Sequence, residues 1–228
     1  LASTTSPEAR QDQHPATGYL LAVEGIGGSG KSTLAAAILS WLQNLGVPVT
    51  ASREPGATPL GLELRRVLLE GNYRPVPWAD AFLFEADRAQ TYANVIEPAL
   101  TSGRVVVSDR NLYGTIAYQA FGSGLDLNTI DILNRAATGG RYPDLVIVVD
   151  APPEIALARK HGSQQPDRFD ELDLRFQAKA REGYLFAARR DSDRAHVLDG
   201  TAPADAVLGG AKAIIVPLLQ AHGLLSKA

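Results

Sequence analysis

The chain has 228 residues, a formal net charge of −3, no cysteine and 45% hydrophobic residues. That length holds one α/β domain or two small ones with a full core, and no break in composition argues for two. The charge balance excludes a protein that coats nucleic acid or an anionic membrane. The lack of cysteine excludes disulfides, thiolate ligands and a cysteine nucleophile, and it is compatible with a reducing cytoplasm, the location expected.

Residues 1–18 are rich in Ser, Thr, Pro and Gln without an apolar period, so they read as a tail outside the fold. Residues 19–228 then form a single domain. No methionine occurs, an initiator included, so the chain is expected to begin downstream of its natural start or after processing. No stretch reads as a membrane span or as an apolar signal segment. Tyr19 to Val23 is an apolar run suited to a buried strand. After it, Gly25, Gly30, Lys31 and Ser32 satisfy G-x-x-x-x-G-K-[ST], followed by Leu34, Ala35, Ile38, Leu42 and Leu45 at helical spacing. Such a loop wraps phosphate oxygens in backbone N–H groups and adds a lysine for the outer phosphates and a hydroxyl for magnesium. The rival reading is an ordinary glycine-rich turn. Strand, loop and helix in the required order favour the phosphate site.

Gly46 ends the first helix, and Val47 to Ser52 is a second β run closed by Arg53-Glu54-Pro55-Gly56. Pro59 to Glu70 has helical spacing, with Leu60, Leu64, Val67 and Leu68 on one face and Arg65 and Arg66 beside it. A longer helix runs from Trp78 to Leu100, carrying Phe82, Phe84, Arg88, Tyr92 and Ile96. Arg104 to Val107 leads to Ser108-Asp109-Arg110, which places an acid and a base at a strand's C-terminal end, where open α/β sheets hold their chemistry. A helix through Thr115 and Tyr118 follows, then one from Asn128 to Thr138. Leu145 to Val149 ends at Asp150, and Pro153 opens a helix through Arg159. His161 to Asp170 reads as a polar, mobile loop, part of a lid at about 159–171. Leu172 to Arg190 is helix, Val197-Leu198 a last strand, and Pro203 opens a closing helix that Pro217 should kink or end. Strands alternating with helices predict an α/β fold, a parallel sheet of about five strands covered on both faces.

Phosphoryl transfer needs spread negative charge neutralised, a metal held and water excluded. Lys31 suits the outer phosphates, while Ser32 and Asp109 suit Mg2+. For Asp109 a helix cap is the alternative; Asp150 competes for the metal role, though Pro152-Pro153 makes it a better cap. Arg53, Arg65, Arg110, Arg159 and Arg168 taken singly are surface residues, and together they suit a site for two polyanions. Phe84 and Arg88, four apart, share a helical face and suit a stacked, hydrogen-bonded base. The alternative puts Phe84 in the core and Arg88 in a surface pair.

Eight separate pieces resemble the thymidylate kinases of bacteria: Glu24 to Thr33, Arg53 to Arg65, Phe84 to Gln90, Val106 to Arg110, Ala117 to Gln119, Gly124 to Asp126, Pro143 to Glu154 and Asp167 to Glu171. The resemblance implies the P-loop nucleoside monophosphate kinase fold, a homodimer, ATP and dTMP as substrates, and dTDP as product. It implies ATP-binding residues Gly25, Gly28, Ser29, Gly30, Lys31, Ser32 and Thr33. Phe84 would stack on thymine, with Arg88, Thr115 and Gln119 at the base edges and Tyr118 under the deoxyribose. Arg53, Arg65 and Arg110 would hold the acceptor phosphate, with Glu54 near the sugar. The catalytic group would be Lys31, Arg110 and a lid arginine, Arg168 or Arg159. Two positions depart from the family pattern. Gly27 stands where an acidic residue usually faces the 3′-hydroxyl, and Asn111 where an aromatic or histidine is common. Two rivals therefore remain: a relative acting on a modified or different pyrimidine monophosphate, and a P-loop protein that binds nucleotide without turnover.

Overall fold

Five runs of apolar, mostly β-branched residues become the strands β1 (Tyr19–Glu24), β2 (Val49–Arg53), β3 (Val105–Asp109), β4 (Leu145–Asp150) and β5 (Ala195–Asp199) of a computed structural model that describes residues 18–70, 73–161, 168–169 and 173–226. They pair in the order β2-β3-β1-β4-β5, and every pair is parallel. Parallel neighbours require crossovers, which the helices supply. These are α1 (Lys31–Asn44), α2 (Pro59–Arg65), α3 (Pro77–Thr91), α4 (Glu97–Thr101), α5 (Leu112–Thr115), α6 (Leu127–Ala137), α7 (Pro153–His161), α8 (Leu174–Arg190) and α9 (Ala204–Ala221).

Side chains alternate across the sheet. Leu21 and Val23 of β1 face α1 and α9, where Leu34, Ile38, Val207 and Ile215 close one core. Ala22 faces a second core built with Ile116, Tyr118, Ala180 and Tyr184. Leu20 and Val106 meet Tyr92, Ile96 and Leu100 in a third cluster. Register then delivers the chemistry to one edge: Asp109 lies opposite Val23 and beside Arg53, so the C-terminal ends of β1, β2 and β3 meet.

The long helix expected over 78–100 is interrupted. After α3 comes a π-helical turn, Tyr92–Ile96, and then α4, whose Pro98 has no N–H to give to the turn before it. Arg66–Glu70 after α2 is π-helical too, and a third such segment, Ile116–Gly122, continues α5. It packs against α8 so closely that a Cβ on Gly183 would lie 2.7 Å from the Ala117 Cα.

Four expectations need correction. The 59–70 segment does not bury a leucine face: Leu60 is 50% exposed, and the contact is made by Gly61, where a Cβ would lie 2.4 Å from Asp87 Oδ1. Close backbone approach has replaced the apolar stripe, and of the four predicted residues only Leu68 is fully buried. Asp150 is not a cap; Arg181 of α8 reaches it with two bonds, Nε at 2.7 Å and Nη2 at 2.8 Å. Gly18 is buried against Leu100 and Arg104 rather than free in the tail. Finally, α9 is long and apolar enough by composition to cross a membrane, which the sequence reading overlooked. Its stripe of Val207, Ala211, Ile215 and Leu219 is instead packed into the core. Residues 1–17 of the expected tail, and 162–167 and 170–172 of the expected lid, lie outside the described residues.

Candidate functional site

The loop between β1 and α1 turns on glycines with positive φ, Gly25, Gly28 and Gly30. At Gly28 no side chain fits, because a Cβ would fall 2.0 Å from the Ala156 carbonyl oxygen. Gly30, left-handed at φ 101°, is the N-cap of α1, so the helix opens with Lys31 and its first-turn N–H groups lie next to the loop. Glu24, at the end of β1, ties this loop to the next strand's turn: its Oε1 accepts from the backbone N–H of Asn111 at 2.8 Å and of Tyr113 at 3.1 Å.

A cavity of about 580 Å³ starts at this loop. Gly27, Gly28, Gly30, Lys31, Ser32 and Thr33 form one part of its wall, with Asp109 and Arg110 from β3 and Arg159 and Lys160 from α7. The rest comes from Arg53, Glu54 and Pro55 after β2, Arg65 and Leu69, Phe84 and Arg88 of α3, Gly114, Thr115, Tyr118 and Gln119 after β3, and Phe169. Two of the predicted phosphate-loop residues are not on this wall. Gly25 is pressed against Val149 and Ser29, and Ser29 is fully buried with its Oγ unpartnered among the described residues.

Asp109 and Ser32 suit a divalent cation. Asp109 Oδ1 is buried without a hydrogen-bond partner among the described residues, the state of a carboxylate oxygen kept for a cation, and the Ser32 side chain is exposed toward the same cavity. Among the described residues no group of three His, Cys, Asp or Glu could hold a metal ion.

Arg110 follows Asp109 at φ 78°, the one non-glycine with positive φ among the described residues. Such strain persists only where the surroundings fix it. Its N–H bonds to Val23 O at 2.9 Å, and its guanidinium donates to Tyr184 Oη and lies 5.2 Å from the Tyr118 ring centre. Burial opposes the charge, but Tyr184, Tyr118, Glu24 and Asp109 raise its pKa overall.

Arg88 is buried more deeply than a surface pair allows. Nε donates to Glu54 at 2.9 Å, Nη1 to Glu85 at 2.5 Å and to Thr115 and Asn134 at 2.8 Å, and Nη2 to the Asn111 carbonyl at 3.0 Å. Burial works against its charge, and Glu85 and Glu54 outweigh it. Burial pushes Glu54 up to about 8; Arg88 opposes this, while Asp87, Glu85 and Glu24 add to it. Asn111 caps α5, accepting from the Leu112 N–H at 2.9 Å, and is fully buried.

Phe84 is neither wholly core nor free: it lines the cavity 6.0 Å from the Phe169 ring. Tyr118 accepts a bond from the Gly27 N–H at 3.1 Å and meets Phe169 edge-on at 5.1 Å. The two lid arginines part company. Arg159 lines the cavity and donates to Gly200 O at 2.8 Å, whereas Arg168 is bound to Asp80 and to the Leu68 carbonyl, away from the wall.

Sequence reasoning missed Lys160, Leu69, Phe169 and, behind the wall, Asp80, Asp87 and Tyr184. Asp80 had a signal, since it stands four residues before Phe84 and eight before Arg88 on one helical face. Phe169 lies in the matched piece Asp167 to Glu171. Asp87 likewise lies in the matched piece Phe84 to Gln90, though its contact with Gly56 spans 31 residues, while Tyr184 had no signal and meets Arg110 across 74.

A parallel sheet of this order, a G-x-x-x-x-G-K-S loop after its central strand and an unpartnered acid at the end of β3 define a P-loop nucleotide-binding protein. Residues 23–209 match the model of the family "Thymidylate kinase". The chain is 40% identical over 205 residues to a thymidylate kinase of Thermosynechococcus vestitus, covering 85% of each chain. It is 44% identical over 193 residues to one of Nitratidesulfovibrio vulgaris, covering 81% of this chain and 86% of the relative. The crystal structure of a thymidylate kinase from Ehrlichia chaffeensis superposes with a TM-score of 0.72 at 27% identity, over 87% of this chain and 98% of that one. The chain belongs to the thymidylate kinase family.

Proposed function

We propose that this protein transfers the γ-phosphate of ATP to dTMP, giving dTDP and ADP, and that it does so as a homodimer in the cytoplasm. One observation carries the reading: a single cavity joins the phosphate loop to a pocket with an aromatic face, polar side chains and three arginines. Two anionic substrates fit there together. An oxygen of the acceptor phosphate attacks the γ-phosphorus, the bond to the β–γ bridging oxygen breaks, and the leaving phosphate departs as ADP.

Lys31 and the loop N–H groups bind the donor phosphates. Arg53, Arg65 and Arg110 orient the acceptor phosphate, and Arg159 with Lys160 adds charge where it builds in the transition state. Ser32 and Asp109 would hold magnesium, which would supply positive charge against the phosphates. Phe84 offers a face for the base, and Tyr118 fills the space where a ribose would carry its 2′-hydroxyl. Retention of Lys31, Ser32, Asp109 and Arg110 argues against binding without turnover.

The test is an acceptor panel of dTMP, dUMP, dCMP, UMP and CMP with ATP and magnesium. We expect dTMP to exceed dUMP by about 10 to 200-fold in kcat/KM, the worth of one methyl group, and dCMP by more. If UMP or dCMP is the better substrate, the dTMP reading fails. A second reading, an altered acceptor, is favoured by Gly27. With no carboxylate there, and its N–H bound to Tyr118, 3′-substituted thymidylates should be tolerated unusually well. If instead only Gly27→Asp accepts dTMP, the second reading takes the first one's place.

A further inference from the structure

Asp80 lies outside the cavity wall and is 4% exposed, yet it touches two elements that the cavity depends on. One carboxylate oxygen, Oδ2, accepts from Gln119 Nε2 at 3.1 Å. The other, Oδ1, accepts from Arg168, whose guanidinium carbon sits 4.2 Å from the ring centre of Phe169 on the wall. Gln119 is itself 1% exposed and lines the cavity.

An amide has a donating end and an accepting end, and turning it over exchanges them. A carboxylate held by a guanidinium accepts only, so Gln119 must direct Nε2 toward Asp80. With Nε2 so engaged, its Oε1 is the atom left for the pocket that Gln119 lines. The remaining polar groups nearby do not duplicate this. Thr115 Oγ1 and the Arg88 guanidinium are already joined to each other, and the guanidinium also binds Glu54, Glu85 and Asn134.

The geometry points to Asp80 as a positioning residue that fixes Gln119 as a hydrogen-bond acceptor, so that the pocket selects a base with an N–H at the ring position facing it. Thymine and uracil carry that N–H at N3; cytosine carries a lone pair there and would meet the Gln119 oxygen lone pair to lone pair. This rests on the pyrimidine-monophosphate reading above and adds the residue that gives it its polarity.

The test measures dissociation constants by titration calorimetry, and kcat/KM, for dTMP, dUMP and dCMP. Asp80→Asn gives position 80 a group that donates as well as accepts, which frees Gln119 to turn over. The preference for dTMP over dCMP is expected to fall about 10 to 100-fold, the worth of a buried polar group gaining or losing its partner. The preference for dTMP over dUMP stays where it is, because both bases carry the N–H. Adding Gln119→Glu to Asp80→Asn restores an acceptor-only group facing the pocket and is expected to recover the dTMP preference. Arg168→Lys, which alters the clamp but keeps the cation that holds Asp80 as a carboxylate, is expected to leave the dTMP to dCMP ratio within about threefold of wild type, since Asp80 still only accepts. Should Asp80→Asn fail to fold for want of a partner to Arg168, the same change is made in the Arg168→Leu background, where no charge is stranded. A folded Asp80→Asn protein with an unchanged dTMP to dCMP ratio overturns the assignment. So does a parallel loss of both ratios, which would mean a loosened pocket, or an equal effect of Arg168→Lys. A wild-type protein that does not prefer dTMP to dCMP overturns the acceptor reading first, before any variant is compared.

Discussion

At the scale of single residues, the site is built from charges that burial would forbid if they were alone. Lys31 is the simplest: it is 8% exposed at the start of α1, and it faces the cavity. Removing a preorganised charge from the transferring group should cost on the order of 10²-fold or more in kcat, so Lys31→Ala is expected to retain under about a hundredth of the turnover. Near-normal turnover in a folded variant would sink the phosphate-site assignment. Asp87 makes the opposite bargain between stability and function. Its Oδ1 accepts from the Gly56 N–H at 3.0 Å, but Oδ2 is buried without a partner, and burial pushes its pKa up to about 6, against the bond from Gly56 and the nearby Arg88, Arg65 and Arg53. The folded protein therefore holds this proton at a pH where the unfolded chain, at an ordinary value of 3.8, has lost it. Stability from Asp87 is complete below that lower value and is lost as pH rises toward 6. Asp87→Asn should keep the Gly56 bond and remove the loss, raising stability at pH 7 by about 1–3 kcal/mol, with no gain at pH 3.5. Denaturant titrations at the two pH values decide it. The same change should raise the acceptor KM, since Arg53 and Arg65 lose the carboxylate beside them, which gives a reason for keeping a destabilising acid.

At the scale of elements, the segment from the end of α7 to the start of α8 divides its arginines by attachment. Arg159 is fixed from below by the Gly200 carbonyl and lines the cavity, while Arg168 is clamped to Asp80 and Leu68. A group that acts on the transferring phosphate must reach it, so Arg159→Ala is expected to lower kcat about 10² to 10³-fold with little change in acceptor KM. Arg168→Ala should act mainly on acceptor KM, by loosening Phe169. If steady-state kinetics reverse the two patterns, Arg168 is the catalytic arginine of the pair. How much of this was legible in the sequence follows from how far apart the partners are. The phosphate loop and Asp109-Arg110 could be read because each function sits within a few residues of its own strand. Phe84 and Arg88 were found by helical spacing, but the depth of Arg88 was not, because its acceptors come from Glu54, Asn111, Thr115 and Asn134 on four other segments. The α2 face was misread because Gly61, whose contact depends on having no side chain, leaves no trace in a hydrophobic pattern. Of the lid, only Arg168 and Phe169 and the flanking helices fall among the described residues, and it is they that separate the two arginines.

At the scale of the molecule, α3 is the element that serves both its inside and its outside. Its inner face carries Asp80, Phe84, Asp87 and Arg88, which build the acceptor pocket and its supports. Its outer face is apolar: Trp78 and Phe82 stack with ring centres 6.0 Å apart, Phe82 is 55% exposed, and Ala86 and Ala89, with Ala93 of the π-helical turn that follows, continue the stripe, also exposed. A helix that presents two large rings and three alanines to water gains by burying them against a second surface, and small residues let two such helices approach closely. A two-fold axis across α3 would pair this face with its own copy, the self-complementary arrangement most dimers use. It would also brace the inner face, because a helix held on its outside cannot tilt away from Thr115 and Gln119. Phe82→Asp places a charge at the centre of the proposed contact and leaves the pocket side untouched. Sedimentation equilibrium is therefore expected to show a dimer for the wild type and a monomer for Phe82→Asp, with dTMP bound more weakly by the monomer because Arg88 and Phe84 have lost their outer support. If the variant stays dimeric, the interface lies on another face; if it is monomeric but binds dTMP as tightly as wild type, the pocket holds its shape without a partner.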